Sequence, residues 1–207
     1  MQKYQAIGVI GMRICVYGAA SDKISDRYKE AGHLLGEKLA KRGHGLVFGA
    51  GDNGVMGAVA RGVYEQGGEL VGVSPRFFNV DGILFGNCTE LIYTDTMRER
   101  KKILEESSDA YIIAPGGVGT LDEFYEILTL KQLQQHNKPI AIFNFDGYYD
   151  GILEWMKVAV KKEFISDITI DLYKVSDNVD EILDYIEEYK PKAEDVNRLR
   201  NLLDEKR

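Results

Sequence analysis

The sequence predicts an α/β domain, a mostly parallel sheet with helices on both faces, and three observations carry that expectation. Short, wholly apolar runs such as Leu46-Val47-Phe48 and Tyr111-Ile112-Ile113-Ala114 alternate along the chain with stretches of helical spacing. The runs are apolar throughout rather than on every second residue, as strands buried on both faces require. Glycine-rich turns follow several of them, at the points where a strand hands over to a helix.

Taken in order, residues 1–12 read as an extension ahead of the domain. Arg13 to Tyr17 forms a first strand, and Gly18-Ala19-Ala20-Ser21 is a turn of small residues. A helix from about Ser25 to Arg42 buries Tyr28, Ala31, Leu35 and Leu39 and stops at Gly43. Gly45 to Phe48 is the second strand, followed by a helix through about Gln66. Between them Gly49, Gly51 and Gly54 match the dinucleotide pattern G-x-G-x-x-G. That pattern also needs an acid after the next strand to hold the ribose hydroxyls, whereas Leu70-Val71-Gly72-Val73 ends in Ser74-Pro75, which argues against NAD. The glycines therefore serve either close packing of helix on strand or direct ligand contact.

Thr89 to Tyr93 is a further strand and Thr96 to about Ser107 a helix. The strand at 111–114 runs into Pro115-Gly116-Gly117-Val118-Gly119 and then a helix ending near Gln135, with Asn137 and Pro139 as stop signals. Pro139 to Phe143 is the sixth strand, Asp150 to about Lys161 a helix, Leu172 to Val175 a short last strand and Val179 to Tyr189 a helix. Residues 13–190 thus make one domain. Residues 191–207 are a charged tail with Val196, Leu199, Leu202 and Leu203 at helical spacing, read as a helix packed on a surface or on a partner chain.

Composition excludes several classes of function. A net charge of -7 argues against a nucleic-acid backbone or an anionic membrane as partner, and leaves small molecules and other protein chains. No apolar run approaches the ~20 residues of a membrane span, and no signal segment is evident, so a cytoplasmic protein is expected. Cys15 and Cys88 read as free thiols. His33, His44 and His136 have no ligand spacing, so no metal site is expected. Neither Gly-Lys-Ser/Thr nor G-x-S-x-G occurs.

The glycine loop at 116–119 is the strongest chemical signal. A loop between a buried strand and a helix exposes backbone N–H groups with the positive end of the helix dipole behind them, which suits an anion. Thr120 and Glu123 read from their spacing as a capping box, or else as part of a phosphate site. Arg100 falls within the apolar stripe set by Met97, Ile103 and Leu104, so it needs an anionic partner, either a carboxylate or a ligand. Lys101 lies at the edge of that stripe. Asp146-Gly147-Tyr148-Tyr149-Asp150 reads as a turn into a helix, with tyrosines able to line a pocket.

Pro115 to Glu123 matches PGGxGTxxE, and Met97 to Lys101 matches an upstream M-x-x-R-K element. Together the two motifs resemble the LOG (Lonely Guy) family of cytokinin riboside 5'-monophosphate phosphoribohydrolases, over about Arg13 to Lys190. The Asp146-Gly147-Tyr148-Tyr149 turn and the spacing of Thr129 to Gln132-Leu133 also fit. The resemblance implies a Rossmann-like fold and a homodimer with its active site near the interface. It implies cleavage of a nucleoside 5'-monophosphate to free base and ribose 5-phosphate, without a cofactor. It makes Arg100 and Glu123 the catalytic pair, and Gly116, Gly117, Val118, Gly119 and Thr120 the phosphate binders, with Lys101 and Thr129 as further substrate contacts. The sequence departs from the family at Gly18-Ala19-Ala20-Ser21, at Gly49-Ala50-Gly51 and around Asp81 and Gly82, which leaves open an N6-prenylated adenine, AMP or another nucleotide as substrate. The other reading is a carrier of the same fold, similar to the molybdenum-cofactor carriers, holding a phosphorylated ligand without cleaving it.

Overall fold

The computed structural model describes residues 11–78 and 82–191. Residues 1–10 of the expected extension over 1–12, Asp81, and residues 192–207 of the expected tail over 191–207 fall outside the described residues. The elements run β1 (Arg13–Tyr17), α1 (Asp26–Lys41), β2 (Gly45–Phe48), α2 (Gly54–Glu65), β3 (Leu70–Pro75), β4 (Glu90–Thr94), α3 (Met97–Glu106), β5 (Ala110–Ile113), α4 (Val118–Gln132), β6 (Ile140–Phe143), α5 (Asp150–Lys161), β7 (Lys174–Ser176) and α6 (Val179–Glu187).

All seven strands are parallel, in the order β4-β3-β2-β1-β5-β6-β7. The chain builds outward from β1 to β4, and α3 then carries it back to lay β5 on the other side of β1. Loops leaving β1 and β5 diverge at this switch and open a crevice beyond the carboxyl ends of the strands. Successive side chains point to opposite faces. Ile14 and Val16 join a core with α1, α2 and α6, while Cys15 and Tyr17 join one with α3, α4 and α5. The inner strands are therefore dry on both faces, which is why they carry no polar alternation, whereas β4 and β7 at the edges of the sheet are partly exposed. In the second core the Cys15 thiol is pushed up to about 12 by burial, and both cysteines are free.

Beyond shifts of one or two residues at other element ends, three features differ from the sequence reading. The helix α4 stops at Gln132 rather than near Gln135, because Gln134 turns to φ 56 and the Gln135 N–H closes back on Leu130 O. The last strand is Lys174–Ser176 rather than 172–175. Ser166 caps a single 3-10 turn over Asp167–Asp171, and Leu172 and Tyr173, apolar and buried, lie between that turn and the strand. The third concerns α4, whose N-cap is Gly117, so Thr120 and Glu123 lie inside the helix and form no capping box. A capping box does occur at α3, between Thr96 and Glu99. Among the described residues no helix is long and apolar enough to cross a membrane.

Candidate active site

The crevice between β1 and β5 holds a cavity of about 340 Å³. The Gly18–Ser21 turn after β1, Gly117, Gly119 and Thr120 at the start of α4, and Arg100 and Glu123 all line it. Elements far apart in sequence meet here because the strand order places β1 and β5 side by side.

Arg100 and Glu123 form a buried ion pair. Arg100 Nη1 donates to Glu123 Oε1 at 2.8 Å, and Arg100 Nε donates to Val73 O at the end of β3 at 3.3 Å. The two residues are only 7% and 6% exposed, so each charge depends on the other. Burial holds the Glu123 carboxyl above the usual carboxylate range, and the guanidinium beside it pulls in the opposite direction. The sequence called for an anion beside Arg100; the structure supplies one in Glu123, on a helix that begins after the next strand. Gly49 makes room for the pair, since a Cβ there would lie 2.0 Å from Arg100 Nη2. Close packing against Arg100 thus accounts for this glycine of the G-x-G-x-x-G pattern.

The glycine loop meets the site at the N-terminus of α4. Gly117 and Gly119 have open space where a side chain would stand. A Cβ on Gly116 would lie 2.1 Å from the Thr120 hydroxyl oxygen, so that glycine lets the Thr120 side chain fold back against the loop. Thr120 is buried. Val118, by contrast, projects into solvent at 84% exposure, so its part in a phosphate site rests on its backbone. The N–H groups at the start of α4 have no intrahelical carbonyl, and Gly117, Gly119 and Thr120 of this turn line the cavity.

Lys101 and Thr129 lie elsewhere. Lys101 Nζ pairs with Asp122 at 3.0 Å and Glu126 at 2.8 Å, and it lines a neighbouring groove with Thr129 and Tyr125 rather than the cavity of Arg100. Its position on the edge of the α3 stripe turns it one step around the helix, onto the outer side of α4. The Gly18–Ser21 turn, Met56 and Met97 line the cavity without having been named as site residues. The signal for the turn was present, as a run of small residues at the carboxyl end of a buried strand. Among the described residues no group of His, Cys, Asp and Glu is arranged to hold a metal ion.

The family profile described as possible lysine decarboxylase matches residues 56–186. A probable cytokinin riboside 5'-monophosphate phosphoribohydrolase of Oryza sativa subsp. japonica is 36% identical over 188 residues, covering 91% of this chain and 76% of that protein. A cytokinin riboside 5'-monophosphate phosphoribohydrolase of Arabidopsis thaliana is 34% identical, covering 88% and 86%. Among solved structures, the molybdenum cofactor binding protein of the phototrophic bacterium Rippkaea orientalis superposes with a TM-score of 0.66 at 19% identity, over 86% of this chain and 97% of that one. The molybdenum cofactor carrier protein of Chlamydomonas reinhardtii gives 0.64 at 22%, over 84% and 95%. At these identities the structural likeness is one of fold.

Proposed function

The chain belongs to the family of the cytokinin riboside 5'-monophosphate phosphoribohydrolases, and from that premise we propose that it hydrolyses the N-glycosidic bond of a nucleoside 5'-monophosphate to free base and ribose 5-phosphate. The observation that carries the reading is the buried Arg100–Glu123 pair beside a glycine-lined helix N-terminus in one cavity. In this reading the 5'-phosphate sits on the N–H groups of Gly117 to Gly119 with the Thr120 hydroxyl, and so fixes the ribose against the pair. As the bond from C1' to the base nitrogen breaks, the base leaves with the bonding electrons and positive charge builds on the sugar ring. Glu123 stabilises that charge and orients the water whose oxygen joins C1', and the proton this water gives up ends on the departing base. Arg100 holds Glu123 in place and offers its remaining donors to the departing base or to the phosphate.

The adenine-type base is either N6-prenylated or plain, as in AMP. The protein is proposed to act in the cytoplasm as a homodimer. Lys101 and Thr129, substrate contacts by family resemblance, line the groove next to the cavity, and a second copy covering that groove would bring them into the site. Incubation with AMP and with isopentenyladenosine monophosphate, followed by chromatography of the released base, tests the activity. Release is expected from the wild-type chain and is expected to fall at least about a hundredfold in Glu123→Ala and Arg100→Ala. No release, with AMP still raising the melting temperature, would replace the hydrolase with a carrier.

A further inference from the structure

Three consecutive carbonyls of the glycine loop are each held from outside the loop. The Tyr149 hydroxyl donates to Ala114 O at 2.8 Å, the Ala19 N–H to Pro115 O at 3.0 Å and the Tyr148 hydroxyl to Gly116 O at 3.0 Å. Both tyrosines come from the turn between β6 and α5, and their rings meet edge to face with centroids 4.9 Å apart. Tyr28 of α1 packs edge-on against Tyr148 at 5.7 Å, and Arg27 beside it pairs with Asp146 of the same turn. The donor of the third bond is therefore braced from two sides.

A trans peptide is planar, with its C=O and the following N–H pointing in opposite directions, so fixing a carbonyl aims the next N–H. The described residues contain no cis bond. The three anchors then differ in consequence. Holding Ala114 O aims nothing, because Pro115 has no N–H. Holding Pro115 O aims the Gly116 N–H, and holding Gly116 O turns the Gly117 N–H to the side away from Tyr148. Gly117 lines the cavity and Tyr148 does not, which puts that N–H on the cavity side. The Gly116–Gly117 bond needs such an anchor, since neighbouring glycines rotate with little steric restraint. A flipped peptide there would present a carbonyl oxygen to an anion.

We propose that Tyr148 is a positioning residue for phosphate: its hydroxyl locks the Gly116–Gly117 peptide with the Gly117 N–H directed at the 5'-phosphate of the bound nucleotide. This rests on the reading of the loop as the phosphate seat. Tyr149, chemically identical and adjacent, holds a carbonyl whose peptide carries no N–H. Its hydroxyl also meets the Gly116 backbone but not the Gly116–Gly117 peptide carbonyl that Tyr148 holds, so it serves as a control for the loss of a loop-anchoring hydroxyl.

The test compares wild type, Tyr148→Phe and Tyr149→Phe as full chains, by AMP kinetics, calorimetric titration with ribose 5-phosphate, and melting temperature. Tyr148→Phe is expected to raise KM for AMP and Kd for ribose 5-phosphate by about five- to tenfold, with kcat within about twofold and little change in melting. Tyr149→Phe is expected to lower the melting temperature more, because it empties a buried bond, and to leave Kd near wild type. Unchanged Kd in Tyr148→Phe overturns the proposal, as does a pair of variants whose Kd and melting shift in step. If wild type releases no base but binds ribose 5-phosphate, the hydrolase reading fails and the Kd ratio still decides the role of Tyr148. If wild type binds no ribose 5-phosphate, the proposal falls with the phosphate seat.

Discussion

A single missing Cβ sets the geometry of the buried pair of Arg100 and Glu123. With a methyl group at position 49, the Arg100 guanidinium loses the space in which it reaches Glu123 and Val73 O together. Gly49→Ala is therefore expected to lower kcat/KM for AMP at least about tenfold while leaving the circular dichroism spectrum unchanged, since 1 Å of misplacement in a reacting constellation is costly. Activity equal to wild type would show that the pair tolerates the shift. Legibility at this scale was uneven. Arg100 could be seen as inward from the stripe of Met97, Ile103 and Leu104. Its partner was masked, because Thr-x-x-Glu ahead of an apolar run is also the signature of a helix cap. What decides between the two is where the helix starts, and α4 starts two residues before Thr120.

Helices α1 and α2 pack with their backbones nearly touching. A Cβ on Gly36 would lie 2.1 Å from Val59 O, and one on Gly62 2.2 Å from His33 O. Leu35, Leu39, Val55, Val59 and Val63 close around that contact without reaching solvent. Gly36→Ala gains about 1 kcal/mol of helix propensity. The clash with a backbone atom in a packed core is expected to outweigh it, for a net loss of about 1–2 kcal/mol in urea unfolding. A midpoint equal to or above wild type would mean that the helices can part without penalty. The apolar stripe of α1 was readable from Tyr28, Ala31, Leu35 and Leu39, and so was the helix. The glycines on its contact face were not, because a glycine within a helical pattern does not announce what approaches it. The last strand was misplaced for a related reason: Leu172 and Tyr173 are apolar because they are buried, and burial by a 3-10 turn leaves the same trace as burial by a sheet.

Across the whole molecule, Lys131 ties together segments that no local pattern links. Its Nζ donates to Lys138 O and Leu172 O at 2.9 Å each and sits 4.7 Å from the Tyr189 ring centroid, joining the end of α4 to the approaches of β6 and β7 and to the end of α6. Burial lowers its pKa to about 8. The unfolded chain, with an ordinary lysine near 10.5, binds more protons between those values, so this group makes the folded state gain stability as pH rises from about 8 to 10.5. Wild type is thus expected to improve relative to Lys131→Met by at least about 1 kcal/mol over that window, measured by paired urea titrations. A constant difference would place the ammonium in a fully solvated setting. The parallel sheet was legible because its strands are apolar on both sides. The strand order lay beyond local periodicity, since it depends on which face each crossover takes.

That order has a bearing on how the protein comes into being. A ribosome delivers β1 to β4 as a consecutive set, with one flank of β1 bare until β5 appears and zips onto it. Arg100 emerges during this interval and Glu123 only after β5, so every shorter nascent chain carries an arginine without its counter-ion beside an open strand edge. Such a chain is at its most vulnerable to aggregation just before the second half arrives. Escape from that hazard comes with the closing of β5 against β1, and the arginine meets its counter-ion only when the helix that follows is added.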